Sequence, residues 1–295
     1  MTRSERIATY SIGVGLTVLA LKTVAWAITG SAALFSDAAE TVVNVVAALM
    51  ALGALHFAAR PADANHPYGH DKAEFFAAMV EGALIIIAAF VILQHSWASW
   101  RNPVPLAAPL PGIVVNAGAT LLNLGWAVVL DRAGKRLRSP VLAADARHLS
   151  ADVMTSTGIV VGVGVAVATG QAWLDPAVAA GTAIYVLVSG LLVIGRSVGG
   201  LMDEAPPTET MDRIRAVVGR SADGAIEAHD LRTRHAGRLT YLEFHLVVPA
   251  DMTVSAAHEI CDRIEGALKA EMADVVTTIH LEPPHKAKHS GVVVV

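Results

Sequence analysis

The sequence predicts a membrane all-α bundle of six helices followed by a small α+β domain, and three observations carry that prediction. Of the 295 residues, 54% are apolar and only 16% charged, with a mean hydropathy of +0.52, a balance that soluble domains rarely show. Five apolar stretches exceed the roughly 18 to 20 residues a helix needs to cross a hydrocarbon core, and a sixth is slightly less continuous. Composition then changes sharply at Asp203-Glu204-Ala205-Pro206-Pro207, where a charged sequence with short-range alternation begins.

The spans fall near residues 8–29, 33–57, 75–97, 112–131, 141–169 and 174–200. The first apolar run is too long for a signal-peptide core and lacks a small-residue cleavage site, so it is expected to stay as the first helix. Lys and Arg set the orientation. Arg3, Arg6, Arg60, Lys72, Arg132, Lys135, Arg136 and Arg138 lie on one side, and Arg101 alone lies in the opposite loops. The positive side faces the cytoplasm, which places both termini, the 58–74 loop and the 132–140 loop inside. The single cysteine, Cys261, makes no intramolecular disulfide, as suits a reducing compartment, and reads as a packed helix residue.

Past the boundary, residues 208–219 show an amphipathic helical pattern with Thr208 as N-cap. Residues 225–235 and 239–248 read as a hairpin joined at Ala236-Gly237-Arg238, because Leu242, Phe244, Leu246 and Val248 alternate with mostly polar neighbours. A helix at 254–272 and a strand at 275–282 complete an α-β-β-α-β order. The predicted organisation is a six-span domain over 1–205, a cytoplasmic domain over 206–284 and an unstructured tail over 285–295.

Candidate chemistry sits where polar residues are least expected. His148 and Asp152 lie four apart inside an apolar span, about 6 Å along one helix face, and Glu40 and Asn44 repeat that spacing in the second span. Two such pairs on packed helices supply four N and O donors, a set suited to a tetrahedral divalent metal. A lone intramembrane Asn also serves as hydrogen-bonding glue between helices. Three ionisable groups stranded together point instead to a site. Between the second and third spans, residues 63–72 hold two histidines and two carboxylates at metal-ligand spacing; the bland alternative is a polar connector.

Other classes fit less well. An intramembrane metalloprotease needs an H-E-x-x-H motif and a nucleotide-driven pump a G-x-x-x-x-G-K-[ST] loop, and neither occurs. Residues 206–295 carry ten Lys or Arg against thirteen Asp or Glu, which argues against nucleic acid. A membrane-bound metal sensor without transport remains the alternative, although a four-donor set within the membrane is more than sensing requires.

The segments LFSDAAETVVN (34–44), NHPYGHDKAE (65–74), LAADARHLSADV (142–153) and HDLRTR (229–234) resemble the cation diffusion facilitator family of divalent metal/proton antiporters. The likeness extends over nearly the whole chain and implies a homodimer of six spans with a cytoplasmic metallochaperone-like α+β domain, exporting Zn²⁺, Fe²⁺, Mn²⁺, Co²⁺ or Cd²⁺ across the inner membrane. It implies a transport site at Glu40, Asn44, His148 and Asp152. Asp37, one turn before Glu40, is an accessory carboxylate that either coordinates, orients Glu40 or lines the entry path, and Asp145, which has the family's placement one turn before His148, either tunes the site, lines the cytoplasmic mouth or is structural. Here Glu40 and Asn44 depart from the family's usual His or Asp and Asp, which leaves metal identity open. The resemblance further implies a loop site at Asp63, His66 and His70, and a cytoplasmic metal site at His229, His245, His258, His280 and Glu282. That set accounts for part of the excess of histidines after residue 206, seven of twelve. Lys72 and Asp203 match a charge interlock at the membrane surface near the dimer axis.

Overall fold

The structure, a computed structural model, describes residues 3–102, 106–137, 140–236, 239–272, 274–289 and 291–293. Residues 237–238 of the expected hairpin turn, 138–139 of the basic loop, 290 and 294–295 of the tail, and the side chain of Asp145 lie outside the described residues. The chain divides into two compact units, residues 1–54 with 77–195, and residues 55–76 with 196–295.

Six long helices run as α1 (Arg3–Thr29), α2 (Ala32–Ala58), α3 (Ala73–Arg101), α4 (Pro109–Leu137), α5 (Pro140–Thr169) and α6 (Leu174–Leu201). All six are long and apolar enough to cross a membrane. Large apolar side chains such as Phe90, Val114, Leu121 and Leu191 point away from the protein, whereas Ala25, Ala33, Ala89, Ala119 and Ala179 line its interior. Small residues inside and large ones outside are what helices in lipid require, since close backbone approach rather than the hydrophobic effect holds them. Helices α3 and α6 approach closely through glycines. A Cβ placed on Gly82 would meet the Gly190 carbonyl at 3.0 Å, and one on Gly190 would meet the Gly82 carbonyl at 3.1 Å.

At the end of the bundle bearing the short turns, Gly30 (φ +68) ends α1. Asp175, in the first turn of α6, then caps α2. Its carboxylate accepts from the Ala32 amide at 2.7 Å, from the Ala33 amide at 3.3 Å and from the Ser31 hydroxyl. A carboxylate there satisfies orphan amides and complements the helix dipole.

The second unit contains α7 (Thr208–Ser221), β1 (Glu227–Ala236), β2 (Leu239–Val247), α8 (Val254–Glu271), β3 (Val275–Glu282) and β4 (Val292–Val293). The sheet order is β3-β2-β1-β4, with β2 antiparallel to β1 and parallel to β3, and β4 antiparallel to β1. Leu242, Phe244 and Leu246 bury one face of β2 against Ile214, Val217 and Val218 of α7 and Ile260, Ile264 and Leu268 of α8. Each fully buried side chain of this kind contributes about 1.5–3 kcal/mol. Cys261 packs in that core.

Two expectations are corrected. Thr208 is the first residue of α7 rather than its cap; Pro207 holds the cap position without a side-chain bond, because it supplies extended backbone before the helix. The tail is not structureless: a 3-10 turn at Pro284–Lys286 leads to β4, which pairs with Glu227 and Ala228 on the open edge of β1. The Glu227 carboxylate accepts from the His289 amide at 3.0 Å and the Gly291 amide at 3.1 Å.

Candidate metal sites

Within the bundle, Glu40 and Asn44 of α2 and His148 and Asp152 of α5 line one cavity of about 80 Å³, closed further by Ile85, Ala88 and Val186. The i,i+4 spacing puts each pair on one helix face, and the packing turns the two faces toward each other. The Asn44 amide donates to Asp152 Oδ2 at 2.7 Å, crossing from α2 to α5. Glu40 Oε2 is buried and has no hydrogen-bond partner. An orphaned acceptor in low dielectric is costly, and it marks where a cation or proton fits.

Asp37, one turn before Glu40, is committed elsewhere. It meets Lys22 of α1, Ser156 of α5 and Asn116 of α4, and it does not line the cavity. The sequence reading passed over Lys22, Ser156 and Asn116. The cost of a lysine in an apolar span was the available signal, but its partners are 15 to 134 residues away along the chain.

The loop residues Asp63, His66 and His70 come together with ligand atoms within 4.8 Å of one another. Asp63 Oδ1 lies 3.1 Å from His66 Nδ1, and Asp63 Oδ2 lies 3.4 Å from His70 Nε2. The His66 amide donates to Asp63 at 2.7 Å and the Asn65 amide at 2.9 Å. The His66 amide in particular holds the Asp63 carboxyl below its usual range. Gly69 (φ +88) supplies the left-handed turn residue that lets His66 and His70 face each other, with ring centroids 4.5 Å apart. The loop is anchored to the sheet. Arg234 of β1 stacks on both Tyr68 and Tyr241, and the Tyr241 hydroxyl donates to the Tyr68 carbonyl at 3.1 Å. Beside it, Lys72 Nζ lies 2.9 Å from Asp203 Oδ1 within the same chain.

On the sheet, register aligns the histidines. His229 stands opposite His245, and His245 opposite His280, so three strands each place one imidazole in a row. Glu282 reaches His245 Nδ1 at 3.1 Å and His229 Nε2 at 3.2 Å. His229 is only 2% exposed, and neither of its ring nitrogens makes a hydrogen bond. Glu282 Oε2 stands 3.2 Å from its Nε2 and Glu227 Oε1 3.7 Å from its Nδ1, so the imidazole is set among carboxylates of the kind that share a metal. Asp230, which the sequence reading left out, joins His229 and His245 within 4.8 Å. A β-bulge between His229 and Arg232, with Asp230 at φ +53, brings it there, and alternation along a regular strand does not foretell it. His258 is apart: on α8 and 71% exposed, it faces Asp262 on its own helix at 3.7 Å.

Comparison with known proteins follows the same division of the chain. The family model described as the cation efflux transmembrane domain matches residues 8–202, and that of the cation efflux protein cytoplasmic domain matches residues 206–284. The chain belongs to the cation efflux, or cation diffusion facilitator, family. It is a multi-pass membrane cation transporter and not an enzyme. This cation efflux protein is 41% identical to the uncharacterized transporter sll1263 of Synechocystis over 94% of its length and 89% of that protein. It is 30% identical to the cation-efflux pump FieF of Shewanella oneidensis over 92% of each. A solved structure of CzrB in its Zn form shares 46% identity over 29% of this chain and 98% of its own, with a TM-score of 0.28.

Proposed function

We propose that this cation efflux protein exports a divalent transition metal of the Zn²⁺, Fe²⁺ or Mn²⁺ class in exchange for protons, as a homodimer in the inner membrane with both termini cytoplasmic. The observation that carries the reading is the meeting of Glu40, Asn44, His148 and Asp152 on one cavity with an unpartnered Glu40 oxygen. Asn44 Nδ2 is spent on Asp152, which leaves its carbonyl oxygen to join two carboxylates and one imidazole. Three oxygens and one nitrogen lean toward harder ions, while the histidine keeps Zn²⁺, Co²⁺ and Cd²⁺ in range.

Exchange follows from ligand chemistry. Glu40, His148 and Asp152 each take a proton in the metal-free site, and a divalent cation gains its donors only by displacing them. Alternating access would present the site in turn to each side. Residues 1–205 carry transport in this reading, 206–284 form the regulatory domain and 285–295 its tail. The loop site of Asp63, His66 and His70 and the sheet site of His229, His245, His280 and Glu282 hold resident metal. His258 joins the sheet site only with a change at α8. Lys72 with Asp203 braces the surface on which the dimer forms.

Metal uptake into proteoliposomes tests the reading, comparing Zn²⁺, Fe²⁺, Mn²⁺, Co²⁺ and Cd²⁺ for wild type and Asp152→Ala. Uptake lost in the variant supports the site. Retained uptake places the site elsewhere. No uptake of any ion, with binding kept by the sheet site, favours the sensor.

A further inference from the structure

None of the sites above uses the four polar side chains that meet one turn from the bundle cavity. Lys22 of α1 and Asp37 of α2 are each 1% exposed. Lys22 Nζ donates to Asp37 Oδ1 at 2.7 Å and to Ser156 Oγ of α5 at 2.9 Å. Ser156 Oγ donates to Asp37 Oδ1 at 2.7 Å, and Asn116 of α4 donates to Asp37 Oδ2 at 2.8 Å. Four helices thus converge on one carboxylate.

The layer has a definite place along the path. Asp37 precedes Glu40 by three residues and Ser156 follows Asp152 by four. Helix α2 starts at the short-turn end of the bundle, where Asp175 caps it, and α5 finishes there in the turn before α6. Both offsets therefore point toward the same end, by about 4.5–6 Å. That end is the one the Lys and Arg distribution assigns to the outside. The layer stands between the cavity and that end.

We propose that Lys22, Asp37, Ser156 and Asn116 form the outer gate of the transport path, an inference that rests on the transport-site reading above. The charge pair spans α1 and α2 and stays intact throughout the cycle, since parting two buried charges is costly. The neutral arms are the parts that break. Ser156 ties the pair to α5 and Asn116 ties it to α4, so the path is shut while both bonds hold and opens when these helices part from α1 and α2. Asn116 Oδ1 is buried without a partner. The layer is therefore short of its full hydrogen bonding, as befits an arrangement that exchanges one set of partners for another.

The test is side-specific labelling of a cavity thiol. In a Cys261→Ser background, Ser189→Cys places the reporter on the cavity wall. A membrane-impermeant maleimide is applied with chelator to spheroplasts and to inverted vesicles. Replacing Ser156 and Asn116 together by Ala removes the tethers and keeps the charge pair. At about threefold for each of the three interhelical bonds lost, outside labelling should rise roughly thirtyfold, while inside labelling falls. Ser156→Thr, which keeps the hydroxyl, should restore most of the barrier. The pair-replacing variant Lys22→Met with Asp37→Leu, which removes every bond in the layer, should also raise outside labelling; it carries the test if the double alanine variant does not fold. Outside labelling at the wild-type rate in the folded variants overturns the gate. Labelling is read without metal, so the two readings separate: if labelling shifts but added Zn²⁺ fails to protect the reporter in the otherwise wild-type protein, the transport site is wrong and the gate stands.

Discussion

Asn44 is the residue on which the chemistry of the bundle site turns. An aspartate there would add a protonatable ligand next to Asp152, which Asn44 now holds by a hydrogen bond. Asn44→Asp should therefore raise the number of protons released per metal bound by up to one, measured by proton-inventory calorimetry in two buffers. An unchanged count would mean that the position does not coordinate. Lys22 makes a sharper energetic prediction. Lys22→Met strands the Asp37 charge and should cost about 3–5 kcal/mol in detergent unfolding, whereas Lys22→Met with Asp37→Leu should cost much less. Cys261 reports on packing: burial first, then Glu265 and Asp262, push its thiol above the usual value. The folded state then favours the neutral thiol, so this group's contribution to stability is lost as pH rises past about 8.5. Alkylation at pH 8 should be slow until the domain unfolds. Glu40, His148 and Asp152 were legible because ionisable groups at helical spacing in apolar sequence have few other reasons to exist. Lys22 was equally costly, yet it lacked a partner on its own helix. Its meaning appeared only when distant helices packed.

Among the elements, the helices were the most readable and the tail the least. Each span declares itself by length and apolar content, so α1 to α6 follow the expected spans with longer ends. The register that aligns His229, His245 and His280 was only half visible. Alternation placed His245 away from the core, but only the pairing of β1 with β2 and β2 with β3 puts the three imidazoles in one row. The bulge that adds Asp230 has no signature in alternation, and four consecutive valines carry no period that marks β4. Two predictions belong here. Asp175→Ala removes the cap of α2 and should lower stability by about 1 kcal/mol by thermal unfolding in detergent. Lys288, 2.5 Å from Asp230, holds that carboxyl below its usual range. A depressed carboxyl stabilises above its unfolded value and loses that contribution only as pH falls through the folded value. Amide exchange at Val292 and Val293 should therefore stay protected at pH 4.5 in wild type and be faster in Lys288→Met.

At the scale of the whole molecule, the two compact units divide the work. The bundle holds a cavity lined by Glu40, Asn44, His148 and Asp152, groups of the kind that take metals and protons, and the second unit holds two clusters, each with one buried histidine, whose ligand atoms lie within 4.8 Å of one another. The sequence named Glu40, Asn44, His148 and Asp152, which the fold gathers on one cavity, because residue types and spacing are local properties. It did not foretell that residues 55–76 pack with the C-terminal residues, a consequence of the stacking of Arg234 on Tyr68 and Tyr241. The central claim is that metal crosses at Glu40, Asn44, His148 and Asp152 in exchange for protons. The most direct measurement is lumenal pH in proteoliposomes loaded with a pH dye, with Zn²⁺ added outside to wild type, Asp152→Ala and His229→Ala/His245→Ala. The account predicts alkalinisation of the lumen as protons leave against entering metal, abolished in Asp152→Ala and retained, with altered metal dependence, when the sheet histidines are removed. Metal uptake with no pH change, or the same pH change in Asp152→Ala, would contradict it.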